Sequence, residues 1–523
     1  MSALLVAVDV GTTSARAGVM TATGALLARA QAPIAIRREG AERGEHDSDD
    51  IWRAVCKAVR DAVVEAGADP AEIKGIGFAA TCSLVVPDGE GAAGWDTIAW
   101  FDHRAIAEAE EINATGHRVL EFSGGALSPE MEIPKLLWLK RNRPELWARA
   151  GMMFDLADFL SWKASGATVR SQSTLTGKWC FLAHEDEGWP CGFLDSIGLE
   201  DVLERAGLPQ RATPVGAAAG TLTQGAAEEL GLSTGVVVTT GMVDAHAGAL
   251  GLLGGLAQGE ADRHLGLIAG TSSAVVALAP EPRPMRGIWG PYHGAVLPGV
   301  WFSEGGQSAS GAALDWLLAM HPDGKQTHDA MIARIEALRE SEPDLAPRLN
   351  VLPDFHGNRS PLADPRALGV VSGMTLDGSL DGLARLYWRT MVGLALGVRH
   401  ILETLNSKGF GIDTLHVAGG HARNRLLVEL YADVTGCRVH RLSDGDAMLL
   451  GVAMAAASAA GIYRDLPQAA RAMRNGSVVR EPDKATRARY DRDYTVFLRM
   501  QAHWAELETM AGAGLERIGG GGA

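Results

Sequence analysis

One short segment occurs twice in this chain, and it limits the fold more than any other feature. Gly11-Thr12-Thr13-Ser14-Ala15 follows the apolar run Leu4-Leu5-Val6-Ala7-Val8, and Gly270-Thr271-Ser272-Ser273-Ala274 follows Leu265-Gly266-Leu267-Ile268-Ala269. The second copy begins just past the midpoint of 523 residues, so the repeat divides the chain almost into halves. Each copy reads as strand, Gly and hydroxyl-rich turn, then a second strand over Ala17–Met20 or Ala274–Leu278. Successive backbone N–H groups in such a turn can wrap a phosphate, and Thr and Ser hydroxyls add donors or metal contacts. Two such turns facing each other across a cleft would grip one nucleotide. The copies are unequal, because Asp9 and Arg16 in the first correspond to Ile268 and Val275 in the second. Only the first half therefore offers a carboxylate beside its turn, as one asymmetric site requires.

A length of 523 residues favours two domains, since single cores stop growing near about 250–300 residues. A net charge of −15 leaves no broad basic face, which argues against nucleic acid or an anionic membrane as main partner. An anionic ligand can still bind locally. Cys56, Cys82, Cys180, Cys191 and Cys437 are odd in number, widely spaced and without a CxxC pair, so neither a disulfide framework nor a structural zinc site is expected. Cys180, His184 and Cys191 lie near one another but lack ligand spacing. The N-terminal apolar run ends at Asp9, too short for a signal peptide, and the Ala-rich run 447–460 is too short to span a bilayer. A cytoplasmic protein is expected.

Along the chain, strands are expected at Leu4–Val8, Ala17–Met20 and Leu26–Ile36. A helix follows, capped by Asp47 or Ser48, with Asp49 and Asp50 at its positive end and Ile51, Val55, Val59 and Val63 on one face. Ile73–Val86 returns to strand, bounded by Pro87-Asp88-Gly89. The second half repeats this grammar. Strands are expected within Trp289–Trp301, a Gly-rich loop at Gly305–Gly311, and helices over Leu314–Met320 and Leu380–Asn406. Strand Leu415–Ala418 leads into the turn Gly419-Gly420-His421-Ala422-Arg423-Asn424 and helix Leu426–Thr435. Strand Cys437–Leu442 and helix Ala447–Ala460 finish the domain. Strand groups alternating with amphipathic helices mean an α/β fold. The expected inter-domain crossing is about Gly254 to Arg263, and a charged helical tail with disordered Gly519–Gly522 follows about Asp465.

Several residues carry chemistry on either of two readings. Asp9 ends a buried-type strand and could hold Mg²⁺ on nucleotide phosphates through water, or satisfy a local turn. Arg16 could pair with a phosphate or with a surface carboxylate. No GxxxxGK[ST] motif accompanies this loop. Asp244 follows the β-branched strand Val236–Thr240 and Gly241, where it could accept a hydroxyl proton during phosphoryl transfer or cap the helix that begins at Ala245. His246 reads as structural. The Gly419–Asn424 turn lets a flat ligand approach the backbone at a helix start. Trp100-Phe101-Asp102-His103-Arg104 offers an aromatic platform with groups that bond polyol hydroxyls, or a strand end with an Asp–Arg pair.

Together these residues resemble the FGGY carbohydrate kinases of the actin-like ATPase superfamily, over nearly the whole chain. The nearest likeness is to the pentulose kinase branch that includes D-ribulokinase. It is carried by Val8–Thr13, Thr81-Cys82-Ser83, Trp100–Ala105, Pro129–Lys135, Gly177-Lys178-Trp179, Glu304–Ser308 and Gly357–Pro365. The resemblance implies two ribonuclease H-like domains with an active-site cleft between them, closing to expel water. Their expected extents are 1–256 for the sugar-binding N-terminal domain, 257–465 for the nucleotide-binding C-terminal domain and 466–523 for a helical tail. By position, Asp244 matches the catalytic base and Asp9 the aspartate near Mg²⁺. Thr12, Thr13, Ser14 and Arg16 match the first phosphate motif, Gly270 and Thr271 the second, and Gly311, Gly420 and Asn424 further ATP contacts. Cys82, Ser83, Trp100, Lys178 and Glu304 match the sugar wall, with His103 and Arg104 beside it.

The implied reaction is ATP-dependent phosphorylation of the primary hydroxyl of D-ribulose to D-ribulose 5-phosphate. The alternatives are L-ribulose, ribitol or xylulose as acceptor and, from another class, a non-catalytic nucleotide-driven clamp or sugar sensor. A small sugar is the expected partner, with no nucleic acid and no membrane. Ala-rich C-terminal helices are compatible with a homodimer.

Overall fold

A computed structural model describes residues 3–40, 43–87, 96–256, 258–320, 326–442, 446–474 and 476–519. Packing divides the chain into two compact units. The first comprises the residues up to Gly266 with Val276–Glu304 and Leu442–Val478, and the second Leu267–Val275, Gly305–Arg441 and the residues from Val479 on. These units cut across the expected segments 1–256, 257–465 and 466–523, because two later stretches return to the first.

The first sheet has seven strands: β1 (Leu4–Val10), β2 (Ser14–Thr21), β3 (Leu26–Pro33), β4 (Ile73–Ala80), β5 (Ala218–Thr221), β6 (Val237–Thr239) and β7 (Met242–Val243). Their order is β5-β6-β4-β1-β2-β3, with β7 also on β4. All seven residues of β1 are buried, as expected of a central strand covered on both faces. β1 pairs antiparallel with β2, placing Asp9 opposite Arg16, and parallel with β4. Helix α1 (Ser48–Glu65) covers one face. Asp47 is its cap, accepting from the N–H groups of Asp49 and Asp50, and Ile51, Val55, Val59 and Val63 pack with Val6, Val8 and Phe78. Such a cap contributes about 1 kcal/mol.

Helices α2 (Glu132–Asn142), α3 (Gln172–Lys178) and α4 (Asp244–Leu253) carry site residues of the first unit. The second sheet is built from β8 (His264–Ala269), β9 (Ser273–Ala279), β10 (Trp289–His293), β11 (Trp301–Gln307), β12 (Thr414–Ala418), β13 (Arg438–Leu442) and β14 (Ser477–Arg480). Its order is β10-β11-β9-β8-β12-β13-β14. The neighbours of β8 repeat those of β1: β9 then β11 on one side and β12 then β13 on the other, as β2 then β3 and β4 then β6 flank β1. The duplicated turn thus marks a duplicated strand order.

Helices α5 (Gly311–Ala319), α6 (Leu380–Ser407), α7 (Arg425–Thr435), α8 (Ala447–Ala459) and α9 (Arg487–Gly519) complete the elements used below. α8 belongs to the first unit, where it packs on β1, β4 and α4. Four expectations change. The expected strand Leu26–Ile36 ends at Pro33, and Ile73–Val86 divides into β4 and a short strand Leu84–Val85. Gly305 and Gly306 lie in β11 instead of a loop, because a Cβ at Gly306 would stand 2.1 Å from the Ser273 carbonyl oxygen. The tail is not wholly helical, since Ser477–Arg480 adds to a sheet edge, and α9 continues through Gly519. The expected turn residues Asp88 and Gly89, and Gly520–Gly522 of the tail, lie outside the described residues. No described helix is long and apolar enough to cross a membrane.

Candidate active site

Strand β1 delivers Asp9 to its C-terminal end, where the first hydroxyl-rich turn begins. Gly11 N–H donates to the Ser14 carbonyl at 3.0 Å, closing the turn with Thr12 and Thr13 at its tip. Asp9 is buried and paired with the Arg16 guanidinium across the strand pair. Arg16 Nη1 also donates to Asp446 Oδ2 at 3.1 Å. Burial raises the Asp9 carboxyl above its ordinary range despite Arg16, and the Asp446 charge adds to the rise. Asp446 was not legible as a partner. Its sequence signal, an Asp before an Ala-rich run, indicates only its second task, capping α8 through the N–H groups of Met448 and Leu449.

Asp244 follows β7 and opens α4, its Oδ1 accepting from the Ala245 N–H at 2.7 Å. It is the first residue of the helix and Val243 is the cap. Burial pushes its carboxyl up to about 7, Asp9 and Glu304 add to the rise, and the Ala245 N–H and Lys178 oppose it. Asp9, Glu304 and Lys178 thus act electrostatically on one carboxylate. A buried carboxylate shifted in this way is a candidate for acid–base chemistry.

The residues expected to line the sugar lie in the same unit. Lys178, the last residue of α3, is buried with Nζ 3.9 Å from Glu304 Oε2 and 4.6 Å from the centre of the Trp289 ring. Burial opposes the Lys178 charge, but the net direction is up, with Glu304 and Glu132 among the groups that favour the ammonium. Cys82 is buried, and desolvation drives its thiol up, so the sulfur stays protonated and is no nucleophile. Ser83 is fully buried and accepts from the Trp100 backbone N–H at 3.1 Å. Trp100 Nε1 donates to Thr12 Oγ1 at 3.0 Å. Arg104 is engaged by Asp102, with Nε to Oδ1 and Nη2 to Oδ2 both 2.8 Å, and by Glu45 Oε1 at 3.0 Å. These carboxylates hold its guanidinium in place. His103 Nε2 lies 3.6 Å from Glu130 Oε1.

Three further buried groups stand here: the sequence alone assigns no role to Glu132 or Asp155, and His246 reads from it as structural. Glu132, in the first turn of α2, is fully buried with neither carboxylate oxygen hydrogen-bonded, and burial pushes it up to about 7 against the opposing charges of Lys135 and Lys178. Burial raises Asp155 well above its usual value, and Glu132 adds to this. His246 stays neutral because burial drives its pKa well down; its Nδ1 bonds Ser173 Oγ at 2.9 Å and its Nε2 lies 3.8 Å from Glu304 Oε2. A Pro129–Lys135 match was the only signal for Glu132, and the Asp-Ala-His run the only one for His246.

In the second unit, Gly270 N–H closes its turn on the Ser272 carbonyl at 2.9 Å. The start of α5 docks on this turn: Gly311 N–H donates to Gly270 O at 2.9 Å, and Ser310 and Ala312 N–H donate to Thr271 O at 3.0 and 3.1 Å. Gly420 begins a tight helical turn ending at Arg423. Asn424 caps α7, its Oδ1 accepting from Leu426 and Leu427 N–H. The structure thus brings Gly270, Thr271 and Gly311 together.

Residues 4–251 match the N-terminal domain, and residues 265–460 the C-terminal domain, of the FGGY family of carbohydrate kinases. An FGGY carbohydrate kinase domain-containing protein of Xenopus laevis is 39% identical over 541 aligned residues, covering 97% of this chain and 98% of that protein. D-ribulokinase of Saccharomyces cerevisiae is 37% identical, covering 82% of this chain and 68% of its own length. Among solved structures, xylulose kinase from Rhodospirillum rubrum matches with a TM-score of 0.79 over 96% of this chain and 99% of its own, at 23% identity, a likeness of fold. Both halves of the repeat and the residues around Asp244 fall inside the matched domains, and the chain belongs to the FGGY family of carbohydrate kinases.

Proposed function

We propose that this enzyme transfers the γ-phosphoryl group of ATP to the primary hydroxyl of a pentulose, with D-ribulose as the acceptor and D-ribulose 5-phosphate as the product. The observation that carries the reading is Asp244, a buried carboxylate at the start of α4 that burial lifts to about 7 and that feels the charges of Asp9, Glu304 and Lys178. The name of the yeast relative supports D-ribulose over L-ribulose, ribitol or xylulose.

Asp244 accepts the proton of the primary hydroxyl as that oxygen attacks the γ-phosphorus, and the bond to the β–γ bridging oxygen breaks to leave ADP. Glu304 accepts from hydroxyls of the sugar and Lys178 donates to them. Trp100 lays an aromatic face beside the carbon skeleton. Thr12, Thr13 and Ser14, with Gly270 and Thr271, donate to phosphate oxygens, and Gly311, Gly420 and Asn424 lie along the nucleotide. The donor chemistry at Asp9 suits Mg²⁺, a hard cation that takes one or two carboxylates and keeps its waters, and Asp9 would hold it there to neutralise phosphate charge. Arg16 keeps Asp9 oriented for that task.

The reading is tested by ADP release from the full chain with Mg-ATP and a panel of D- and L-ketopentoses and pentitols. D-ribulose is expected to give the highest kcat/KM. Asp244→Asn is expected to fold and to bind ATP while losing about 100- to 10,000-fold in sugar phosphorylation. Wild-type turnover in that variant would remove Asp244 from its role. Preference for another sugar would keep the chemistry and move the substrate.

A further inference from the structure

Trp100 is expected at the sugar wall, yet its indole N–H is bonded to the first hydroxyl-rich turn. Nε1–H donates to Thr12 Oγ1 at 3.0 Å. An indole nitrogen is a donor with no acceptor capacity, so the Thr12 oxygen has to accept and its own proton has to point elsewhere. No other hydrogen bond of the Thr12 hydroxyl occurs among the described residues.

Both ends of this bond are held by groups outside it. On the Thr12 side, the turn is closed by Gly11 N–H to Ser14 O, and Thr13 O accepts from Ile34 N–H at 2.9 Å. On the other side, the Trp100 N–H donates to buried Ser83 Oγ, and the Trp100 carbonyl accepts from Lys135 Nζ at 3.2 Å. Lys135 is fully buried and also donates to the carbonyls of Ala99 and Glu130, at 3.1 and 2.9 Å. The Phe101 ring meets the indole edge-on, with centroids 5.8 Å apart. An indole fixed through its own backbone and packed on one edge is a rigid donor. It sets the rotor of a partly exposed hydroxyl at the tip of a phosphate-type turn.

We propose that Trp100 is a positioning residue for the nucleotide: by occupying a lone pair of Thr12 Oγ1 it fixes that hydroxyl as a donor to a phosphate of a nucleoside di- or triphosphate. This rests on the reading of the Thr12 turn as a phosphate site. It makes one side chain serve both substrates, with the ring face toward the sugar and the N–H toward the nucleotide grip.

The test is calorimetric titration of Mg-ADP into the full chain and its variants. Trp100→Phe keeps an aromatic face and removes the donor; Thr12→Val keeps the shape and removes the hydroxyl. Trp100→Phe is expected to weaken Mg-ADP binding about three- to tenfold, the span of one hydrogen bond. The double variant should be no weaker than Thr12→Val alone, since the indole acts only through that hydroxyl. In a Thr12→Ser background, which retains the acceptor, Trp100→Phe should again weaken binding. In turnover assays, KM for ATP should rise more than KM for the sugar. Unchanged Mg-ADP affinity in Trp100→Phe, or losses that multiply in the double variant, would overturn the proposal. If the wild type binds Mg-ADP but phosphorylates no sugar, the assigned reaction fails while the coupling can still be read. If it binds no Mg-ADP, both fail.

Discussion

A carboxylate that keeps its own proton cannot take one from a substrate. With Asp244 lifted from the ordinary carboxylate range to about 7 by burial first and by Asp9 and Glu304 after it, the protonated form dominates at pH 6 and the ionised form at pH 8. The kcat/KM for the sugar, which reports the free enzyme, should therefore climb about tenfold per pH unit on an acid limb and level off above about pH 7. A profile flat from pH 5.5 to 8 would exclude Asp244 as the base. Lys178 supplies a second, signed test. Its ammonium lowers the Asp244 pKa, so Lys178→Met should move the acid limb to higher pH and also raise KM for the sugar. It should also lower stability, because Glu304 loses the buried cation beside it. A variant with a raised KM and an unmoved limb would show that Lys178 binds sugar without tuning the base.

Where α4 and α8 cross, their backbones touch. A Cβ on Gly451 would lie 1.9 Å from the Ala247 carbonyl oxygen, and one on Gly251 would lie 2.0 Å from that of Ala447. Backbone cannot yield as a flexible side chain can, so the helices must separate. Gly451→Ala is expected to cost about 1–3 kcal/mol and lower the thermal midpoint by several degrees. Because α4 begins at Asp244, kcat should fall as well, although residue 451 touches no substrate. Unfolding and turnover measurements on this single variant check both, and wild-type stability would contradict the close crossing. Nothing in the sequence foretold it, as glycine in a helical run signals only a propensity cost. Other elements were legible because local signals suffice for them. An Asp cap and a fourfold apolar spacing mark α1, and uninterrupted apolar residues mark β1. Gly305-Gly306 was misread for the opposite reason: glycine suggests a loop, while its use here is to let β11 pass against the Ser273 backbone. The strand at Ser477–Arg480 holds only two β-branched residues, between a serine and an arginine, too few for a period to show.

At the scale of the whole chain, order in sequence and order in space part company. The repeated turn correctly signalled a duplicated sheet, yet the segment 442–478 returns to pack with the first unit, and so does 276–304. Arg16 shows why this could not be read. Its second carboxylate partner, Asp446, lies 430 positions further on, and no local pattern encodes so distant a pair. The site candidates were legible where a strand end, a turn or a family-like match marks them, whereas Asp446, Glu132 and His246 carry weaker signals: a cap position, the Pro129–Lys135 match and the Asp-Ala-His run. The packing predicts that residues 1–256 alone fall short of a self-sufficient domain. Without α8, the face of β1 and β4 opposite α1 loses its cover, which in the whole chain is Leu449, Val452 and Ala456 set against Gly18, Gly77 and Gly75. At about 25 cal/mol per Å² of apolar surface, exposing such a helix footprint takes away more than a marginal domain can spare. A 1–256 fragment is expected to bind ANS, lack near-UV dichroism and melt without a cooperative transition. Co-expression with 257–523, which supplies α8 and Glu304, should restore cooperative unfolding and sugar phosphorylation together. A fragment that unfolds cooperatively alone would show that α8 is an accessory to the first sheet and not part of its core.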